Sequence, residues 1–223
     1  LIKSKPIILY VMRTFIKFGH YDFIIALGYK GEKILEYFSK KKITTSIKSE
    51  LKKGLKVELK LFGKNCSIIF LDTGLKTMTG GRLKRASKLI QDDKFFATYG
   101  DGLGDINISK LKSFHKKKNK MVTVTAVNPP ARFGEIIMKN NQVIDFTEKQ
   151  PIKSSWINGG YFIITKKFIN YIKNDQSILE REPLETIAKK NQLSAYKHHS
   201  LWQCLDTKRD IPFIKNLLPK IFK

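Results

Sequence analysis

Three short apolar runs, each stopping at a glycine or an aspartate, constrain this chain more than any other feature. Asp22 to Leu27 ends at Gly28, Cys66 to Leu71 ends at Asp72, and Lys94 to Tyr99 ends at Gly100-Asp101-Gly102. Short apolar stretches bounded by turn residues read as buried strands. A helical pattern follows each: Gly31 to Phe38 with Ile34, Leu35 and Phe38 on one face, Arg82 to Ile90, and 109–118 with Ser109 as N-cap. Another helix follows Lys5-Pro6, with Ile8, Leu9, Met12, Phe15 and Ile16 at helical spacing. Met121 to Val127 is a clear strand, and shorter strands are predicted at 134–138, 142–146, 158–164 and 193–197. Helices are predicted at 166–173, 180–190 and from Thr207 onward. Residues 39–65 are the least legible, and the period-2 pattern at Leu55, Val57, Leu59 and Leu61 predicts a hairpin or excursion there. Strands alternating with helices predict an α/β fold with a parallel sheet covered on both faces. Its ligands belong at the carboxyl ends of the strands.

Length and composition narrow the class. A chain of 223 residues predicts one domain, 1–223, large enough to bury a real core. At 42% hydrophobic it is no disordered tail. No apolar run approaches the ~18 residues of a membrane span, and the opening Leu1-Ile2-Lys3-Ser4-Lys5-Pro6 lacks the pattern of a signal peptide. Cys66 and Cys204 are too few for a disulfide framework or a zinc site, and predict reduced thiols in a cytoplasmic protein. The net charge of +24 raises nucleic acid as a partner. Against that, only six basic residues are Arg, and the lysines are scattered along the chain. A base-reading surface favours the arginine fork. The expectation is no nucleic acid and no membrane, with a field that attracts polyanionic small molecules.

The loops after the strands carry the candidate chemistry. Asp101, leaving a buried strand beside Gly100 and Gly102, can hold Mg²⁺ on a phosphate; a plain Asp-Gly turn accounts for the same residues. Thr77-Met78-Thr79-Gly80-Gly81-Arg82-Leu83-Lys84-Arg85 opens a helix with two glycines and three cations. Free backbone N–H groups, the positive helix end and the guanidinium donors predict an anion site there. Glu148-Lys149 and Asn158-Gly159-Gly160 suit a sugar phosphate, a lysine for the charge and an amide for the hydroxyls. Asp206 is either a ligand or the N-cap of the last helix. The adjacent His198-His199 pair points to opposite faces of a strand and makes a poor metal clamp. All four histidines are expected in surface or capping roles.

Taken together, these loops resemble the sugar-phosphate nucleotidylyltransferases, in order along the whole chain: Lys5-Pro6-Ile7, Leu27-Gly28-Tyr29-Lys30-Gly31, Asp72-Thr73-Gly74, Met78 to Arg85, Tyr99 to Gly102, Arg132-Phe133-Gly134, Glu148-Lys149, Ile157 to Gly160, Glu182-Pro183-Leu184 and Asp206-Thr207. The Met78–Arg85 stretch and the Gly-Tyr-Lys-Gly loop resemble the cytidylyl branch. The resemblance implies the nucleotide-diphospho-sugar transferase fold, a mixed, mostly parallel Rossmann-like sheet flanked by helices. It implies CTP and glucose 1-phosphate as substrates, CDP-glucose and pyrophosphate as products, Mg²⁺ as cofactor and a homo-oligomer. By resemblance, Asp101 and Asp206 hold the metal. Thr77, Gly80, Gly81, Arg82 and Gly100 meet the nucleotide. Lys149 takes the sugar phosphate, with Gly134, Glu148, Asn158 and Gly159 around the sugar; Asp101, Arg82 and Lys149 are the catalytic set. A sibling using dTTP or UTP, or a sugar-nucleotide-binding remnant without turnover, fits the same motifs. Family members also carry a first strand and a Gly-Gly-x-Gly-Thr-Arg loop that this sequence lacks. The expectation is an N-terminally truncated chain of poor activity on its own.

Overall fold

The computed structural model describes residues 1–39, 44–128, 135–147 and 155–222. Helix α1 (Ile7–Ile16) follows Pro6, whose extended backbone sets the entry to the first turn. It is buried on two sides. Leu9, Met12 and Ile16 pack toward a core built on Ile25, Leu27, Ile68 and Phe70. Val11 and Phe15 pack toward a second core with Ile106, Leu111, Tyr161 and Ile163. One helix therefore ties two sheets together.

The first sheet contains β1 (Asp22–Leu27), β2 (Leu55–Leu61) and β3 (Lys64–Asp72) in the order β1-β3-β2. β1 and β3 run parallel from Asp22 opposite Ser67 to Leu27 opposite Asp72, so both end at the same rim. Helix α2 (Gly31–Ser39) follows β1. Helix α3 (Thr45–Lys53) was not legible in the lysine-rich stretch, because only Leu51 of its residues is buried. Its signals are the Thr44 cap, which accepts from the Ile47 N–H, and Gly54 at its end.

Helix α4 (Thr79–Ser87) begins three residues before the predicted Arg82. β4 (Lys94–Thr98) and β5 (Gly102–Gly104) flank the Asp101 turn. In α5 (Ile108–Lys118) the cap is Asn107 rather than Ser109, its Oδ1 accepting from the Lys110 N–H at 2.8 Å. Next come β6 (Val122–Val127), the hairpin β7 (Glu135–Lys139) and β8 (Gln142–Thr147), and β9 (Ile157–Thr165). Residues 166–171 form a 3₁₀ helix rather than an α-helix. The chain ends with α6 (Glu182–Lys189), β10 (Leu193–His198), β11 (Trp202–Cys204) and α7 (Asp210–Ile221).

The second sheet has the order β10-β6-β9-β4. Among the described residues, β1 with β3 and β10 with β6 are the parallel pairs. The other ladders are antiparallel, because β9 runs back between β6 and β4 and because β2–β3 and β7–β8 are hairpins. The α/β class and the mixed sheets are as expected, with less parallel pairing than the sequence predicted. No helix among the described residues is long and apolar enough to cross a membrane. Cys66 is fully buried and Cys204 half-buried, neither of them in a disulfide.

Candidate active site

Two carboxylates from distant parts of the chain meet at one corner. β5 and β11 pair antiparallel, with Gly102 opposite Cys204, and the Leu205 N–H extends the ladder by donating to the Asp101 carbonyl at 3.0 Å. Asp101 lies just before one strand and Asp206 just after the other, so both reach the same end. The ladder is fixed from its surroundings: the Tyr161 hydroxyl donates to the Gly102 carbonyl at 3.0 Å, and Trp202 Nε1 donates to the Gly159 carbonyl at 2.9 Å. The sequence reading missed both strands, three residues each. Their signal was the Gly102–Gly104 spacing opposite Trp202.

Burial first, and then the neighbouring Asp206 carboxylate, raise the pKa of Asp101 above the ordinary Asp value. A turn aspartate gains nothing from such a neighbour, whereas a divalent cation neutralises both. No cluster of three or more His, Cys, Asp or Glu suited to a metal occurs among the described residues. A carboxylate pair that leaves the remaining positions to water and phosphate oxygens suits Mg²⁺. Asp206 is not the N-cap of α7. Arg209 holds that position without a side-chain cap, and Asp210, the first helical residue, turns its carboxylate back to accept from the Asp206 N–H, the Thr207 N–H and the Thr207 hydroxyl at 3.1, 2.7 and 3.0 Å. The Asp206 carboxylate accepts from the Cys204 thiol at 3.1 Å.

The start of α4 differs from the predicted anion cradle. Its backbone donors are taken: the Gly80 and Gly81 N–H groups donate to the Ser177 carbonyl at 2.9 and 3.3 Å. A side chain on either glycine would strike the 175–177 backbone, at 2.7 Å from Ser177 O for Gly80 and 2.6 Å from Asp175 O for Gly81. These glycines allow close packing. Lys84 donates to the carbonyls of Ile172 and Lys173 at 2.6 and 3.0 Å, and the Arg85 fork closes on the Asp175 carboxylate at 2.9 and 2.5 Å. Only Arg82 turns toward the strand ends. It donates to the Leu27 carbonyl at 2.9 Å and to the Thr73 hydroxyl at 2.5 Å, at the shared rim of β1 and β3. Thr77 is buried beside Gly74 and Gly81.

Of the residues expected around the sugar, Asn158 and Gly159 lie near the start of β9, tied to the Asp101 turn through Tyr99 and Trp202. Gly134, Glu148 and Lys149 lie outside the described residues. The sequence reading passed over Glu180, which accepts from Tyr99 and from Thr79. The histidines also correct an expectation: His115 and His198 are buried, His198 against Asp105 at 2.9 Å, while His199 faces outward.

A mixed α/β frame with an acidic pair at the end of one ladder is a setting suited to phosphate groups held on a divalent cation. The family model described as Nucleotidyl transferase matches residues 1–210, and the chain belongs to that family. It is 38% identical to a glucose-1-phosphate cytidylyltransferase of Salmonella typhimurium over 222 residues, covering 98% of this chain and 86% of that one. It is 35% identical to a probable glucose-1-phosphate cytidylyltransferase of Bacillus subtilis over 215 residues, covering 95% and 83%. Among solved structures it resembles HddC from Yersinia pseudotuberculosis (TM-score 0.67, 21% identity, 97% and 87% covered). It also resembles a UDP-glucose pyrophosphorylase complexed with UDP-glucose (TM-score 0.65, 17% identity, 97% and 88% covered). At those identities the structural likeness is one of fold.

Proposed function

We propose that the chain transfers a cytidylyl group from CTP to α-D-glucose 1-phosphate, giving CDP-glucose and pyrophosphate. The observation that carries this reading is the meeting of Asp101 and Asp206 at the end of the β5–β11 ladder, 105 positions apart in the sequence. The identity to the two cytidylyltransferases supports the choice of base and sugar. A phosphate oxygen of the sugar phosphate attacks the α-phosphorus of CTP, and the bond to the pyrophosphate oxygen breaks. The protein's part is positioning and neutralisation of charge. Asp101 and Asp206 are the residues that would hold Mg²⁺, which when bound offsets phosphate charge. Arg82 offers the remaining donors of its fork to the nucleotide beside Thr77 and Gly100. Asn158 and the Gly159 backbone face the sugar, and by resemblance Gly134, Glu148 and Lys149 complete that side. Gly80 and Gly81 shape the site by packing.

The test is pyrophosphate release with glucose 1-phosphate and, separately, CTP, UTP, dTTP or ATP in the presence of Mg²⁺. CTP is expected to be preferred by at least tenfold. A preference for dTTP or UTP moves the chain to a sibling activity, and no release with any nucleotide together with no calorimetric binding of CTP removes the enzyme reading.

A further inference from the structure

The exit of β4 and the approach to α6 meet in a hydrogen-bond chain that crosses the site. Tyr99 Oη donates to Glu180 Oε1. Thr79 Oγ1 donates to Glu180 Oε2 at 2.8 Å and accepts from the Leu179 N–H at 2.9 Å. Asn158 Nδ2 donates to Tyr99 Oη at 3.1 Å, while Asn158 Oδ1 accepts from the Gly160 N–H at 2.8 Å. A carboxylate can only accept, so Tyr99 must give its proton to Glu180, which leaves an oxygen lone pair for Asn158.

The tyrosine ring is held as firmly as its hydroxyl. It meets Phe162 edge-on at 5.7 Å and lies against Gly160. Gly160 sits at φ +79°, where a Cβ would come within 2.7 Å of the ring. Asn158 therefore has one N–H and one carbonyl lone pair left, pointing where its backbone and Tyr99 allow. One carboxylate reaches two places at once: the first residue of α4 and the amide at the start of β9.

We propose that Glu180 and Tyr99 are positioning residues that set the two substrates relative to each other. Through Tyr99, Glu180 aims the Asn158 amide at the sugar, and through Thr79 it holds the head of α4 beside the nucleotide. This proposal rests on the function given above. Its two arms are separable. Tyr99→Phe keeps the ring and cuts only the Asn158 arm, Thr79→Val cuts only the α4 arm, and Glu180→Ala cuts both. Glu180→Gln keeps a carbonyl that can accept from Tyr99, so it preserves the sugar arm.

The experiment is steady-state kinetics of the full chain with CTP, glucose 1-phosphate and Mg²⁺. Tyr99→Phe is expected to raise KM for glucose 1-phosphate about tenfold, the loss of one directed hydrogen bond. Its kcat and its KM for CTP should stay within about twofold. Thr79→Val should raise the CTP KM alone, Glu180→Ala both, and Glu180→Gln should restore the sugar KM. On an Asn158→Ala background, Tyr99→Phe should add nothing. Unchanged constants in Tyr99→Phe, or both KM values rising together, overturn the proposal. A wild-type chain that neither makes product from CTP nor binds it sinks the function instead. Calorimetric binding of glucose 1-phosphate then decides the bridge: about tenfold weaker binding to Tyr99→Phe supports it, and equal binding, or none to either chain, overturns it.

Discussion

The head of α4 and the Asp101 corner look alike as sequence, each glycine-rich, charged and placed after a strand, yet they use their charge in different ways. At α4 the fold consumes it: Arg85 closes on Asp175, Lys84 on two carbonyls, and the Gly80 N–H on Ser177. At the corner the fold assembles like charges, and burial, then Asp206, raises the pKa of Asp101. Neutralised charge close to a site stabilises structure, whereas like charge gathered at a strand end costs stability until a ligand offsets it. A basic run beside two glycines is therefore weak grounds for an anion site until its partners are known.

The sharpest way to break this contrast is Asp101→Asn. Turnover is expected to fall on the order of 10²–10³-fold or more, with the melting temperature nearly unchanged or slightly raised, since a like-charge pair is relieved. Matched pyrophosphate assays and thermal melts check it. A large melting loss with normal specific activity would reduce the corner to a structural turn.

Gly81→Ala probes the other side. Its Cβ would lie 2.6 Å from the Asp175 backbone, so overpacking should cost about 1–3 kcal/mol, set against the ~1 kcal/mol that alanine gains in a helix. A lower urea midpoint is expected; an unchanged or higher one would mean that α4 and 175–177 are not in tight contact.

A third treatment of charge is exclusion. His115 is 3% exposed, its Nδ1 meets the Thr123 hydroxyl at 2.8 Å, and its Nε2 has no partner among the described residues. Burial, then Lys94, lowers its pKa below the ordinary 6.5. As pH falls below about 6.5 the unfolded chain takes up this proton before the folded one, so stability is lost from there downward. His115→Leu should flatten that slope in urea titrations at pH 7.5 and 5.5. Part of the slope should remain, because burial lowers His20 in the same direction. The same slope in both chains would show that His115 does not contribute.

Arg85→Gln carries the smallest expected effect. Arg85 is held by Asp175 on an exposed surface, so kcat and both KM values should stay within about twofold. A tenfold rise in the CTP KM would restore the anion cradle and erase the contrast with the Asp101 corner.

Local pattern was enough for the strands Asp22–Leu27 and Met121–Val127 almost to the residue, for the α/β class, and for Asp101 and Asp206 as candidates. These rest on local signals: the length of an apolar run, the residue that stops it, and a motif whose members are neighbours in the chain. Tertiary structure alone decided that Asp206 stands beside Asp101 instead of capping α7, that Lys84 and Arg85 are consumed by residues 172–175, and that Glu180 bridges Tyr99 and Thr79. Asp175, Ser177 and Glu180 sit in the stretch Asp175-Gln176-Ser177-Ile178-Leu179-Glu180, which has no period and no motif. Their partners lie 81 to 101 residues away, and only the packing of α4 and the exit of β4 against this stretch brings them within hydrogen-bonding distance. The two three-residue strands β5 and β11 stayed hidden for the same reason: too short to show a period, they exist because each completes the other.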